Sequence, residues 1–324
     1  MMDKVAEIER LMAPVMNGVQ TRRLHAVLVA CLCSDGIDNS SREDDAKQCT
    51  MAFLAAKKLE GCSDRSLGYY SSTLKRFASV VQKRMGAVTT DDIREYLSEY
   101  QAKSGASNVT VDNIRRILSS FFSWLETEDF IYKSPVKRIK KIRTARPVKQ
   151  IYSDEVLELL RDNCAEPRDL AIVDLLASAG IRVGELVKLD RADVDLESRE
   201  CIVHGKGNKE RKAYFDARTK VHLAAYLATR VDENAALFVS LNSPHRRLNI
   251  SGVEMRLREL GRKLGLPKVH PHKFRRTLAT KAIDKGMPIE QVQVLLGHSK
   301  IDTTLCYAMV DQENVKQSHR RYIS

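Results

Sequence analysis

A basic segment divides the chain into two parts and sets the main constraint on its fold. Residues 133–150 hold eight lysines and arginines and two prolines but no acidic residue. Proline and dense like charge both disfavour a continuous packed element, so this segment is predicted to be a basic interdomain linker. With 324 residues in all, the parts on either side are each long enough to bury a core of their own.

The positive charge is concentrated in two stretches. The net charge is +12, with +7 in residues 101–150, −7 in 151–200 and +12 in 201–300. A run of like charge gains most by lying along a polyanion and releasing its counterions, so this pattern favours nucleic acid as partner over a merely solvated connector. The candidate DNA-binding residues are Lys133, Lys137, Arg138, Lys140, Lys141, Arg143, Arg146 and Lys149 in the linker, with Lys209 and Arg211 further along.

The part before the linker has helical spacing of its apolar residues. A compact four-helix domain is predicted over 49–132, with helices near 51–59, 70–81, 89–100 and 114–125. Its aromatic side chains are assigned to the core, with base stacking as the alternative. Residues 1–48 are predicted to form a helical N-terminal arm, whose slightly acidic balance suits contact with protein better than contact with DNA.

The part after the linker, 151–324, is predicted to be a mixed α/β domain. Ser153 suits a helix start, and Gly180 suits the end of the helix that runs from Arg168. Residues 201–203 and 211–215 then predict a β-hairpin with Lys206 at its tip, after which helices resume. The predicted fold class is therefore mainly α with a small antiparallel β-sheet. The hairpin turn lacks the spacing of a phosphate-binding nucleotide loop.

Several classes of protein are excluded by what the sequence lacks. Its seven cysteines are scattered without a C-x-x-C pair, which predicts reduced thiols and a cytoplasmic location. The longest apolar run covers about half of the ~20 residues that a bilayer crossing needs, so no membrane association is expected. The sequence has no H-E-x-x-H or G-x-S-x-G motif and no paired aspartates arranged as a metal site, so neither a metal nor another cofactor is expected.

Four motifs in the second half resemble those of the tyrosine recombinases, the family of lambda-type phage integrases and bacterial Xer recombinases. They are Gly-Ile-Arg-Val-Gly-Glu-Leu at 180–186, Gly-Lys-Gly-Asn-Lys-Glu-Arg at 205–211, His-Pro-His-Lys-Phe-Arg-Arg-Thr-Leu-Ala-Thr at 270–280, and Leu-Leu-Gly-His-Ser-Lys-Ile-Asp-Thr-Thr-x-x-Tyr at 295–307. The resemblance covers about residues 51–307 and is weak to absent before them. Arg276 departs from it, because the family usually has histidine there.

The resemblance implies a fold and a set of catalytic residues. It implies a helical, SAM-like core-binding domain followed by a mixed α/β catalytic domain of the tyrosine recombinase type. The implied catalytic residues are Arg182 and Arg275 on the scissile phosphate, Lys206 as acid for the leaving 5′ oxygen, His272 and His298 in proton transfer and phosphate binding, and Tyr307 as nucleophile. Glu185 is implied as a supporting carboxylate, with a solvated helix charge as the alternative.

The resemblance also implies partners and an outcome. The expected partner is double-stranded DNA with paired recombination sites, bound by a homo-oligomer, as a tetramer joined through the C-terminal tail. Accessory DNA-bending or directionality proteins are possible partners. The expected reaction is strand cleavage and rejoining through a 3′-phosphotyrosyl intermediate, as in integration, excision, resolution or inversion by a mobile element. The alternatives are a non-cleaving DNA-binding regulator and a type IB-like topoisomerase.

Overall fold

The computed structural model describes residues 2–32, 39–144, 150–205, 210–298, 301–305 and 323. The chain divides into two compact units, Met1–Pro147 and Val148–Ser324. It is mainly α-helical with a small antiparallel sheet, as the sequence predicts. Within the described ranges, no helix combines the length and the apolar character that a bilayer crossing requires.

The first unit is helical where the structure describes it. Its helices are α1 Met2–Met12, α2 Gly18–Leu32, α3 Asn39–Leu59, α4 Asp64–Val81, α5 Thr90–Ser104 and α6 Asn108–Thr127. Thr89 and Asp92 form a capping box at the start of α5, so the predicted helix start is confirmed. Helix α3 runs through residue 48, where the sequence predicts the end of the N-terminal arm. No Gly or Pro occurs between 39 and 59 to end that helix.

Aromatic side chains fill the core of the first unit. Phe53, Phe77, Phe121 and Phe122 are at most 1% exposed. The ring of Phe53 lies edge-on to that of Phe121, with centroids 5.3 Å apart. The prediction that these aromatics are core residues is confirmed, because rings packed in this way have no face to offer a base.

The first part of the basic segment packs on the first unit and does not run free. Val136 is 2% exposed, and Thr90 Oγ1 donates to the Pro135 carbonyl at 2.8 Å. Further on, the Ile142 amide donates to Asp112 Oδ1 at 3.1 Å. The expectation of a linker from 133 onwards is corrected here, since apolar residues among the lysines anchor the chain as far as 143. Arg143 itself is fixed through its carbonyl, which accepts from the Asn108 side chain.

The second unit surrounds a buried helix. Its helices are α7 Asp154–Asp162, α8 Pro167–Ala179, α9 Val183–Leu186, α10 Ala217–Ala228, α11 Ile250–Lys263, α12 Pro271–Asp284, α13 Ile289–Leu296 and α14 Ile301–Leu305. Alanine and apolar residues bury most of α8, which packs against α10 and α12. Small side chains allow this close approach.

A three-stranded antiparallel sheet is built on the predicted hairpin. Its strands are β1 Val194–Asp195, β2 Glu200–His204 and β3 Glu210–Tyr214, in the order β1-β2-β3. Cys201 pairs with Ala213 and both are buried, whereas Ile202 on the opposite face is 42% exposed. This alternation places one face of the hairpin on the core. The sequence analysis missed β1, which is only two residues long.

Candidate active site

The turn that ends α8 positions the first candidate residue, Arg182. Gly180 has a φ of +58°, in the left-handed region that L side chains rarely adopt. A methyl group built on Gly180 would lie 2.5 Å from Leu278 Cδ2 on α12, so the backbone conformation favours glycine and a larger residue would displace the Leu278 side chain. Arg182 then stands at the N-terminal cap of α9, with its side chain 38% exposed.

Glu185 is the buried partner of that arginine. Its side chain is 4% exposed and accepts from the Arg182 amide at 2.9 Å, from Arg182 Nη1 at 2.6 Å and from Arg211 Nη2 at 2.8 Å. Burial alone raises the pKa of the Glu185 carboxyl, but the Arg182 amide and the charges of Arg211 and Arg182 outweigh it and hold the pKa below its ordinary value. Glu185 is therefore an ionised buried group, and the alternative of a solvated helix charge is wrong.

Among the residues that the structure describes, three arginines meet at the C-terminal end of α13. Each of three successive carbonyl groups accepts from a different arginine: Leu295 from Arg211 Nη1 at 2.9 Å, Leu296 from Arg275 Nη2, and Gly297 from Arg182 Nη2 at 3.1 Å. The last carbonyls of a helix lack partners within the helix and form the negative end of its dipole, so cations are favourable there. This arrangement brings together arginines that are far apart in the sequence.

Arg275 is the most deeply buried of the three arginines. It lies on α12, is 2% exposed, and also donates Nη1 to the Gly180 carbonyl. A buried guanidinium needs such partners, because an unpaired charge in the interior is strongly destabilising. The same bonds fix its plane relative to the turn that carries Arg182.

His298 follows directly after the end of α13. Gly297 has a φ of +62° and ends the helix, and His298 Nδ1 lies 2.8 Å from Oγ1 of Thr304, which is wholly buried. Desolvation, followed by the charges of Arg275 and Arg182, lowers the pKa of His298 to about 4. Its imidazole is therefore neutral at neutral pH, when no anion is bound beside it.

His272 lies one helical turn before Arg275 on α12 and is exposed. Partial desolvation, and then the charges of Arg275 and Arg182, lower its pKa below the ordinary value. The two histidines thus share the field of the same two arginines. A neutral imidazole can accept a proton, which an imidazolium cannot.

The second unit matches a known family over most of its length. Residues 149–314 match the family described as "Phage integrase family", and residues 51–131 match "Phage integrase, N-terminal SAM-like domain". Tyrosine recombinase XerC of Leptospira interrogans is 32% identical over 284 residues, which cover 83% of this chain and 91% of that protein. The chain belongs to the phage integrase family of tyrosine recombinases.

A further relative agrees with this membership, and two solved structures share the fold. XerC of Thermodesulfovibrio yellowstonii is 32% identical over 280 residues, covering 81% of this chain and 92% of its own length. XerH recombinase bound to difH DNA has a TM-score of 0.66 at 20% identity, covering 99% of this chain and 95% of its own. The Tn1549 transposon integrase bound to a circular-intermediate DNA has a TM-score of 0.68 at 19% identity, covering 83% and 98%. At these identities the structures establish the fold.

Several candidate residues of this tyrosine recombinase fall outside the described residues. They are Lys206, Tyr307, Lys209, Arg146 and Lys149. Arg182, Glu185, Arg275 and His298 are brought to the end of α13, with His272 one turn from Arg275. Of the basic segment, Lys133, Lys137, Arg138, Lys140, Lys141 and Arg143 are described, and they lie on the first unit. Lys137 also pairs with Glu126 at 2.6 Å.

Two features of this site were missed by the sequence analysis. The charge of Arg211 predicts a contact with DNA, but its side chain is only 16% exposed and contacts Glu185 and Leu295. Thr304 was given no role, yet its hydroxyl lies on His298. Thr304 lies six residues after His298, and no motif in the sequence indicates this contact. No local pattern signals the contacts of Arg211, because its partners lie 26 and 84 residues away.

Proposed function

We propose that the chain is a site-specific DNA recombinase that cleaves and rejoins strands through a 3′-phosphotyrosyl intermediate. The observation that carries this proposal is the meeting of Arg182 and Arg275 with His298 at the end of α13, with His272 one turn away on α12. It is supported by the XerC relatives, which are named tyrosine recombinases, and by the DNA in the complexes of XerH and the Tn1549 integrase.

The two arginines provide the fixed positive charge that a DNA phosphate needs. Charge builds up on the non-bridging oxygens as the nucleophile approaches phosphorus, and preorganised cations stabilise it without reorganisation. A guanidinium has five N–H donors in a planar fork, so Arg182 and Arg275 can hold helix carbonyls and still engage phosphate oxygens. A lysine offers a point charge and would not do both.

Tyr307 is the proposed nucleophile. A phenol with a pKa near 10 is ionised in only about 0.1% of molecules at neutral pH, so it needs a proton acceptor or a positive field. The neutral imidazoles of His272 and His298 supply acceptors, and Arg182 and Arg275 supply the field. The bond from Tyr307 Oη to phosphorus forms as the bond from phosphorus to the 5′ oxygen breaks.

The leaving 5′ oxygen takes a proton from Lys206, the proposed general acid. The phosphotyrosyl ester keeps the linkage, so a 5′ hydroxyl from a second strand can attack it, release Tyr307 and reseal the DNA. Rejoining consumes no nucleotide, because one ester is exchanged for another. Strand exchange between two sites, and not hydrolysis, is therefore the proposed outcome.

Strand exchange requires that two DNA sites are held together. We therefore propose that the active oligomer is a tetramer bound to paired sites. Residues 308–324 are the segment proposed to link neighbouring copies, and accessory DNA-bending or directionality proteins are further proposed partners.

Residues 49–132 are proposed as the core-binding domain, 151–324 as the catalytic domain, and 1–48 as an arm for protein contact. The basic residues of 133–150 are proposed to contact the DNA backbone. We also propose that the protein acts in the cytoplasm.

A nicked duplex tests the proposed reaction. A binding duplex is selected from a random-sequence pool and nicked beside the cleavage position, so that the short 5′ fragment diffuses away and the enzyme stays linked to DNA. We expect a covalent protein–DNA band that survives denaturing electrophoresis. Tyr307→Phe should abolish it, whereas Tyr214→Phe, on an exposed β3 residue, should leave it unchanged. Failure to select any duplex, or a band that persists in Tyr307→Phe, would contradict the proposal.

A further inference from the structure

Arg211 connects three parts of the candidate active site. It is the second residue of β3, with its side chain 16% exposed. Its Nη2 donates to Glu185 Oε2 at 2.8 Å, and its Nη1 donates to the Leu295 carbonyl at 2.9 Å. One guanidinium therefore joins the hairpin, the start of α9 and the end of α13. Such a planar fork can bridge two acceptors at fixed directions, which a lysine cannot reproduce.

Gly297 shows how closely this side chain is packed. A methyl group built on Gly297 would lie 2.6 Å from both Cδ and Nε of Arg211. The backbone that leads from α13 into His298 thus passes directly against the Arg211 side chain. With a φ of +62°, residue 297 needs glycine for its conformation as well. If the Arg211 side chain moved, the backbone at Gly297, which leads into His298, would lose this packing contact.

Loss of Arg211 would leave the negative charge of Glu185 less well compensated. In the part of the chain that the structure describes, two cations contact this carboxylate, Arg182 and Arg211, and it is almost completely buried. Loss of Arg211 leaves Arg182 as the cation that must compensate the whole buried charge. The ion pair between Glu185 and Arg182 would then become stronger. Arg182 would shift towards Glu185 and lose the position in which it contacts the Gly297 carbonyl and can bind a phosphate.

We propose that Arg211 is a positioning residue of this recombinase. It fixes Glu185 and the turn from Leu295 to Gly297, so that Arg182 and His298 meet the DNA phosphate in the correct geometry, and it does not itself bind DNA. It also anchors the hairpin five residues from Lys206. This inference rests on the proposed function and replaces the assignment of Arg211 as a DNA contact.

The test compares Arg211→Met and Arg211→Lys with wild type on the nicked duplex. Because a displacement of about 1 Å costs on the order of 10²-fold in rate, we expect both variants to form covalent product about 10²-fold more slowly. Affinity for the intact duplex should stay within about twofold, since a positioning residue changes the chemical step and not ground-state binding. Lys212→Ala, at the exposed neighbour of Arg211, should behave as wild type.

A second readout needs no DNA and separates failure of this inference from failure of the proposed function. The groups that set the titration of His298 are Arg275 on α12, Arg182 and Glu185 at α9, Arg211 on β3 and the Thr304 hydroxyl on α14. In NMR titrations of the free protein, the pKa of His298 should rise from about 4 in Arg211→Met, which loses the charge, and also in Arg211→Lys, which keeps the charge but not the contacts with Glu185 and Leu295. Thermal melting checks that each variant is folded.

Three results would overturn the inference. A loss of DNA affinity as large as the loss of rate would make Arg211 a phosphate contact. Full activity in Arg211→Lys would mean that charge alone matters, and not the two-pronged geometry. An unchanged His298 pKa in folded Arg211→Met would separate Arg211 from the His298 turn. If wild type forms no covalent product, the proposed function fails, and the His298 titration in folded Arg211→Lys, which keeps the charge, still decides whether the contacts of Arg211 hold this turn.

Discussion

The neutral state of His298 makes stability depend on pH in a direction that the structure fixes. Desolvation and the charges of Arg275 and Arg182 lower its pKa from an ordinary 6.5 to about 4. Between these values the unfolded chain holds the proton and the folded chain does not, so stability falls as the pH falls through this window. Above about 6.5 the full stability is present, and below about 4 the loss is complete.

The magnitude follows from the size of that shift. Each pKa unit corresponds to about 1.4 kcal/mol, so the complete loss is about 3 kcal/mol, and partial solvent screening makes this an upper value. Between about pH 7.5 and about pH 5, the linkage relation gives a loss of about 2 kcal/mol from His298 alone. Replacing His298 by glutamine removes this contribution and leaves all other titrating groups in place.

The assay is urea unfolding followed by circular dichroism at both pH values. Wild type should lose about 2 kcal/mol more than His298→Gln when the pH is lowered, after subtraction of the loss that both share. His25→Gln is the matched control, because His25 is 54% exposed in the other unit, and it should follow wild type. If His298→Gln loses as much stability as wild type, the neutral, partly buried imidazole, and with it the field assigned to the arginines, is refuted.

Further predictions concern the glycine turn, the anchored basic segment and the hydroxyl on His298. Gly180→Ala should destabilise the protein by about 2 kcal/mol in urea unfolding. It should cost more than Gly265→Ala, which has a φ of +62° but no atom within 4 Å. Asp112→Ala should cost about 2 kcal/mol, since the Ile142 amide and Arg115 Nε lose the buried carboxylate that accepts from both, and should weaken binding to all duplexes alike. Asp91→Ala, at an 87% exposed carboxylate, should change neither property. Thr304→Val should slow covalent trapping about 10-fold at unchanged affinity, as expected for loss of one hydrogen bond that orients His298; equal loss of affinity would contradict this.

Local sequence signals were sufficient for elements whose cause is local. Ser153 and Thr89 each cap a helix as predicted, because an N-cap side chain bonds only three residues ahead. The antiparallel pairing of β2 and β3 followed from the alternation of their residues and from the glycines between them in the sequence. The position of Gly180 at a helix end followed from glycine's tolerance of positive φ.

Features that depend on distant partners were not accessible in this way. The basic segment is held by Val136 and by the bond from Ile142 to Asp112, which lies 30 residues away, so its charge pattern alone predicted a free linker. The charge of Arg211 predicts a contact with DNA, but its guanidinium donates to a buried carboxylate and to a carbonyl at a helix end. In both cases the sequence predicts contact with solvent or DNA, whereas tertiary packing supplies partners within the protein.

Identification of the residue that carries the DNA tests the central claim most directly. The covalent product from the nicked duplex is digested with nuclease and trypsin, and the peptides are sequenced by mass spectrometry. Trypsin releases residues 301–316, a fragment with Tyr307 as its single tyrosine. The account predicts a nucleotide joined through its 3′ phosphate to Tyr307 in this fragment. A nucleotide on any other residue, or joined through its 5′ phosphate, would contradict it.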